Sequence, residues 1–394
     1  MKKLLAASAA TALLAGAAHA EDVNIGIILG FTGPIESLTP HMADSAELAM
    51  KEVNDSGEFL EGMTLKPVRA DSTCVDNAAA TAAAERLITT DNVVAIMGAD
   101  CSGVTGAVLT NVAVPNGVPM VSPSATSPAL STTEDNGLFF RTAPSDARQG
   151  EVLASMVMDK GIEEVAVTYS NTDYGKGLSD SFVSAYEENG GKVTLVAPHE
   201  DNKADYSAEV AALDSAGGDA LVVLGYSDAG GRGMIRASLD TGAFDMFVMG
   251  DGMYGDDLMT AMGSEMEGSI GAVPWSEGDG AEAFNTITSD AGVNGESSFT
   301  RESYDAAALI ALAMVAGGEA TSEAVAANML DVANEPGEKI LPGELGKAMQ
   351  ILKDGGEIDY VGATNVELIG PGEAAGTYRD YEVKDGDYST VKFR

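Results

Sequence analysis

The sequence predicts an α/β fold of two doubly wound parallel-sheet lobes, and three observations carry that expectation. Short apolar runs alternate with stretches of helical period almost throughout the chain. Strands punctuated by helices of roughly ten to fifteen residues imply βαβ units, whose parallel sheets are covered on both faces. The pattern restarts near residue 140, and 394 residues exceed what one core comfortably holds.

In chain order, residues 23–29 read as a buried strand. Residues 43–53 read as a helix with apolar positions Ala46, Leu48, Ala49, Met50 and Val53. A strand at 65–70, a helix at 78–88 and strands at 93–98 and 118–122 follow. After Phe139-Phe140-Arg141 a helix at 149–158 leads to a strand at 165–169, and one at 178–188 to a strand at 193–197. Helices at 208–213 and 233–239 lead to strands at 220–224 and 246–249. The tail differs, with Ala-rich helices at 303–315 and 322–332. Segments 378–383 and 388–393 read as a hairpin turning at Asp385-Gly386, a pair that accepts the positive φ angles of a tight turn.

Residues 1–20 have the form of a secretory signal peptide. Met1-Lys2-Lys3 is the positive start, residues 4–16 are apolar, and Ala18-His19-Ala20 is a small-x-small cleavage site. The apolar run is too short for a membrane span. No Cys follows it, so no lipid attachment is expected. The mature chain is expected to begin near Glu21 and to work, as a soluble globular protein, in a periplasm. It would carry 20 basic against 61 acidic residues, a balance of −41. Such a surface repels nucleic acid and anionic lipid. The acidity forms no block of like charge, which points to a solvated surface suited to saline surroundings; a cation-steering field is the alternative.

Cys74 and Cys101 are the only cysteines, and an even count behind an export signal favours one disulfide. His41 and His199 are the only mature histidines and neither lies near a Cys-x-x-Cys, so no metal is expected. The methionines are scattered and read as core filler. No Gly-x-Ser-x-Gly elbow, phosphate loop, dinucleotide fingerprint or His-Glu-x-x-His occurs. No catalytic residue and no cofactor are assigned.

The informative loops follow strand ends, where open α/β sheets bind ligands. They are Gly98-Ala99-Asp100-Cys101-Ser102-Gly103, the run from Ser122 to Pro128, and Gly250-Asp251-Gly252. Taken singly, Ser102 or Thr126 also suits a helix cap, and Asp251 a turn.

Six segments together resemble the leucine/isoleucine/valine-binding proteins, the periplasmic substrate-binding components of branched-chain amino acid ABC transporters. They are Gly30-Phe31-Thr32-Gly33-Pro34-Ile35, Cys74 with Cys101-Ser102, Val121 to Pro128, Phe140-Arg141-Thr142-Ala143, Asp173-Tyr174-Gly175-Lys176-Gly177, and Met249-Gly250-Asp251-Gly252. The resemblance runs over essentially the whole mature length. It implies a type I periplasmic binding protein, with two lobes joined by three hinge crossings and a ligand cleft between them. Residues 21–143 and 273–376 would form one lobe, and 144–272 and 377–394 the other.

By motif position, the Ser102 hydroxyl, the backbone around Ser124 and the Thr126 side chain would hold a ligand carboxylate. Asp251 would pair the amine, and Tyr174 and Tyr226 would line the second lobe's face. Partners would be a small amino acid and an ABC transporter permease, with the protein a monomer. The sequence departs from the family at Asp251, where Glu is frequent, and at Leu38, where leucine binders can place a large aromatic. The segment 367–376 also lacks the family's usual character. Another amino acid, an amide or a small carboxylate stays open as ligand, and a ligand-sensing receptor domain is the alternative function.

Overall fold

Two seven-stranded sheets organise the chain, described over residues 22–394 in a computed structural model. The expected signal peptide over residues 1–20 lies outside the described residues. The first half alternates β1 (Asp22–Leu29), α1 (Thr39–Ser56), β2 (Thr64–Asp71), α2 (Asn77–Thr89), β3 (Ala95–Gly98), α3 (Ser102–Val108), α4 (Val114–Asn116), β4 (Met120–Ser122) and β5 (Phe139–Pro144). Its strands lie in the order β5-β4-β3-β1-β2, all parallel.

The pattern then repeats through α5 (Asp146–Asp159), β6 (Glu164–Ser170), α6 (Asp173–Glu188), β7 (Lys192–His199), α7 (Ser207–Ala216), β8 (Ala220–Leu224), α8 (Gly230–Thr241), β9 (Phe247–Met249), α9 (Asp256–Met262) and β10 (Ile270–Pro274). This second sheet has the parallel order β10-β9-β8-β6-β7. Strand β8, Ala-Leu-Val-Val-Leu, is buried at every position. A strand covered on both faces has no use for alternation, which is why it reads as one apolar run.

The remainder returns to the first sheet and adds a separate two-stranded parallel sheet. It comprises α10 (Asp279–Ala291), α11 (Thr300–Gly317), α12 (Ser322–Ala333), β11 (Glu338–Ile340), α13 (Leu345–Lys353), β12 (Ile358–Tyr360), β13 (Leu368–Ile369) and β14 (Glu373–Ala374). Strand β14 pairs with β5, and β13 closes that edge. Helix α11 is buried from Thr300 to Val315. Its Ala-rich composition lets α1 and α12 pack closely on it, so it needs no polar stripe. The chain ends in the hairpin β15 (Tyr378–Lys384) and β16 (Asp387–Phe393), antiparallel on β10. Asp385 and Gly386 turn it with φ of 54° and 82°.

The chain therefore passes between the sheets three times, after β5, after β10 and between β14 and β15. The expected lobe boundary at 272/273 falls inside β10. Val273 and Pro274 pair with Arg379 and Tyr378 of the hairpin, which holds the strand in the second sheet as far as residue 274.

Candidate functional site

One narrow cavity lies between the two sheets. Its lining includes Ile35, Leu38, Asp100, Ser102 and Ser124 from the first, and Tyr174, Tyr226, Asp251 and Gly252 from the second. Each polar residue stands just beyond a strand's carboxyl end, as the doubly wound arrangement requires. Ser102 opens α3 after β3, and Ser124 follows β4. Tyr174 lies in the first turn of α6, Tyr226 follows β8, and Asp251 follows β9.

On the first side, Ser102 Oγ accepts the Ser127 N–H at 3.1 Å, and Ser124 Oγ donates to the Asp100 carbonyl at 3.0 Å. The first N–H groups of α3 have no partner within their own helix. Cys74 and Cys101 form the disulfide, with Cα atoms 5.1 Å apart, immediately before Ser102. Asp100 ties three loops together. Its Oδ2 accepts the Gly30 N–H at 2.6 Å and its Oδ1 the Ser72 hydroxyl at 2.8 Å. Burial raises the Asp100 carboxyl above its usual range, while those hydrogen bonds pull the other way.

The opposite side is built around Asp251. Its Oδ1 accepts the Tyr174 hydroxyl at 2.5 Å and the Gly252 N–H at 2.8 Å, while its own N–H donates to Gln149 Oε1 at 3.1 Å. The Tyr174 hydroxyl in turn accepts the Gly252 N–H at 3.0 Å, and its ring stacks on Tyr226 at 5.1 Å. Burial raises Asp251, against hydrogen bonds from Tyr174, Gln149 and Gly252 that favour its anion. Asp146 behind it is raised further, first by burial and then by the Asp251 charge. Of the two buried acids, Asp146 is raised the more, and Asp251 is the one with hydrogen bonds from three groups that favour its anion.

Thr126 stands two residues past Ser124 in the same loop, and its hydroxyl is buried without a hydrogen-bond partner among the described residues. It is fully buried and outside the lining, with its carbonyl accepting the Asp146 N–H at 2.8 Å. The buried Arg141 guanidinium gathers the neighbouring Ala125 and Ser127 carbonyls at 2.9 and 3.0 Å. That grip fixes the loop on either side of Thr126, next to Ser124 at the cavity.

Phe299 also lines the cavity, from the residue before α11 and with a φ of 61°. No sequence signal marked it, because a non-glycine residue in the left-handed region is not legible from its neighbours. Asp100 and Ile35 belong to the motif segments, but nothing in the sequence assigns either a role. Ile35, Leu38 and Phe299 bring aliphatic and aromatic side chains to the lining. Among the described residues, the lining holds no Lys, Arg or His. The cavity therefore offers the Asp251 carboxylate at one wall, the Ser102 and Ser124 hydroxyls beside the hydrogen-bonded Asp100 at the other, and apolar side chains in its lining.

A family model described as periplasmic binding protein matches residues 22–346. A Leu/Ile/Val-binding protein homolog of Brucella melitensis is 32% identical over 329 residues, covering 82% of this chain and 86% of its own. The crystal structure of a leucine binding protein from Thermotoga maritima is similar with a TM-score of 0.77 at 23% identity, covering 94% of this chain and 98% of its own. A branched-chain amino acid transporter substrate binding protein of Streptococcus pneumoniae, solved in complex with isoleucine, gives 0.76 at 22% identity, covering 94% and 100%. These two structures share the fold.

Proposed function

The chain belongs to the periplasmic binding protein family, and we propose that it captures leucine, isoleucine or valine between two closing lobes and hands it to the permease of an ABC transporter. The observation that carries this reading is Asp251, a buried carboxylate on one lobe facing the Ser102 and Ser124 loops of the other across a lining without a cation. An amino acid zwitterion has no net charge, so its carboxylate needs only hydroxyls and helix-start N–H groups while one Asp pairs the ammonium. Ile35, Leu38 and Phe299 are suited to an aliphatic side chain. Micromolar binding requires about −8 kcal/mol, within reach of those bonds and that burial.

Because the two ends of the ligand are held by different lobes, binding favours the closed arrangement, a population shift. The family is one of solute binders, and no catalytic step is part of this reading. The leader is proposed to be removed on export and the mature protein to act as a monomer in the periplasm.

Calorimetry with leucine, isoleucine, valine and their 2-oxo acids tests the assignment. Losing one partner of a buried charged bond commonly costs about 2–5 kcal/mol. Asp251→Asn is expected to weaken an amino acid by that amount and its 2-oxo acid far less. Ser102→Ala is expected to cost less, since the neighbouring N–H groups remain. Wild-type protein that binds the oxo acids as tightly as the amino acids would reduce Asp251 to a turn residue and reopen the ligand class.

A further inference from the structure

The two lobes also touch each other directly, beside the cavity and not through it. Asp228, in the loop between β8 and α8, donates its N–H to the Pro34 carbonyl at 3.3 Å. Its Oδ2 accepts the Ser37 N–H at 2.9 Å. Pro34 and Ser37 belong to the segment between β1 and α1 whose Ile35 and Leu38 roof the cavity. Asp228 stands two residues beyond Tyr226, which lines the opposite wall. Each of the clasped loops therefore carries part of the ligand lining.

Two further features bear on how firmly the clasp holds. The same seam buries the hydroxyls of Ser37 and Ser227, neither with a hydrogen-bond partner. On its outer side Asp228 borders an open groove that also includes Asp201, Tyr206 and Arg232, so water competes for its carboxylate. Closing gains a charge-assisted hydrogen bond and strands two hydroxyls, contributions of similar size and opposite sign. A clasp so nearly balanced leaves a bound ligand to decide the outcome.

We propose that Asp228 is a latch: it fastens the roof loop, residues 31–38, to the second lobe in every closed molecule and so sets how long a ligand is retained, without touching the ligand. It acts through the loop and is a positioning residue. The proposal rests on the reading of two lobes that close on an amino acid, and its test separates the two. Asp228→Ala removes the carboxylate and keeps the backbone bond to Pro34; Asp228→Asn keeps one acceptor oxygen.

Stopped-flow release of L-leucine from Asp228→Ala is expected to be about tenfold faster than from wild type, as loss of one such bond implies. The association rate should stay within about threefold, because contacts made after encounter act mainly on dissociation. Asp228→Asn should recover most of the difference. In parallel, hydrogen exchange of the Ser37 amide in ligand-free protein should be faster in Asp228→Ala than in wild type, with melting temperatures equal. Wild type failing to bind leucine would sink the functional reading alone, and exchange would then decide the latch. Equal Ser37 exchange in the two proteins, or equal leucine release where leucine binds, would overturn it.

Discussion

Glu302 is a carboxylic acid in a place built for a neutral side chain. It is only 5% exposed and borders a small cavity with Thr142, Pro144, Trp275, Ser276 and Gly376, where the chain passes between the sheets. Burial pushes its carboxyl up to about 8, with Arg301 opposing and Asp305 and Asp251 reinforcing. Between the ordinary value of 4.5 and the folded value near 8, the native state holds a proton that the unfolded chain has released. Stability therefore falls as pH rises through that window and levels off above it. Glu302→Gln, which is neutral throughout, should match wild type near pH 4.5 and exceed it at pH 8 and above, by an amount on the order of a few kcal/mol. Trp275, the one tryptophan of the chain, lies between the Arg301 and Arg379 guanidinium groups, 3.8 and 3.6 Å from its ring centre. Its fluorescence reports unfolding at this crossing, and parallel pH profiles of melting temperature for the two proteins would contradict the argument. At this scale the sequence was legible where chemistry follows directly from position. Ser102, Ser124, Tyr174, Tyr226 and Asp251 all stand just past strand ends, and the fold gathers them at one cavity. The support of the Ser122–Pro128 loop was not legible, because the grip of Arg141 on the Ala125 and Ser127 carbonyls exists only after folding.

Among the elements, the loop after β2 and the loop before α3 are held together by the Cys74–Cys101 bond, which spans 27 residues of sequence. In the chain-entropy model, closing a loop of that size stabilises by about 3–4 kcal/mol. The bond also holds the segment that presents Ser102 before any ligand arrives. The Cys74→Ser, Cys101→Ser double variant should therefore melt lower by several degrees and bind leucine more weakly, and two free thiols titrated in native exported protein would refute the pairing. The elements that the sequence displayed share one property, a long apolar or amphipathic run decided locally. Those it hid depend on distant partners. Strand β10 reads Ile-Gly-Ala-Val-Pro, with a glycine and a proline that argue against a central strand. Yet Gly271 is required there, because a Cβ would stand 2.3 Å from the Tyr381 hydroxyl of the hairpin that comes 110 residues later. The three-residue pair β11 and β12 and the two-residue strands β13 and β14 are too short to carry a period. The expected lobe boundary near 272 lies within β10, which the distant strand β15 pairs as far as residue 274.

Over the whole molecule, the charge composition is dominated by acidic residues. Sixty-one acidic residues face 22 basic ones, a formal −39 before any leader is removed. Most of the basic side chains are already engaged, as in Lys51–Asp55, Arg69 with Asp44 and Glu47, Lys176–Asp180 and Arg236–Glu265. These pairs are solvent-exposed and add little stability each. The carboxylates left over repel one another, and compaction brings them closer than they are in the unfolded chain. Added salt shortens that repulsion to about 10 Å at 0.1 M. The melting temperature should therefore rise between about 10 mM and 0.5 M NaCl, most steeply at the low end, and KCl should act equally. Screening depends on ionic strength alone, whereas exclusion of a salt from the protein surface would make sulfate far stronger than chloride at equal ionic strength. Equal effects of the two salts below about 0.2 M would assign the rise to charge repulsion, and a flat or falling curve would mean that the acidic surface is already neutralised by its own ion pairs.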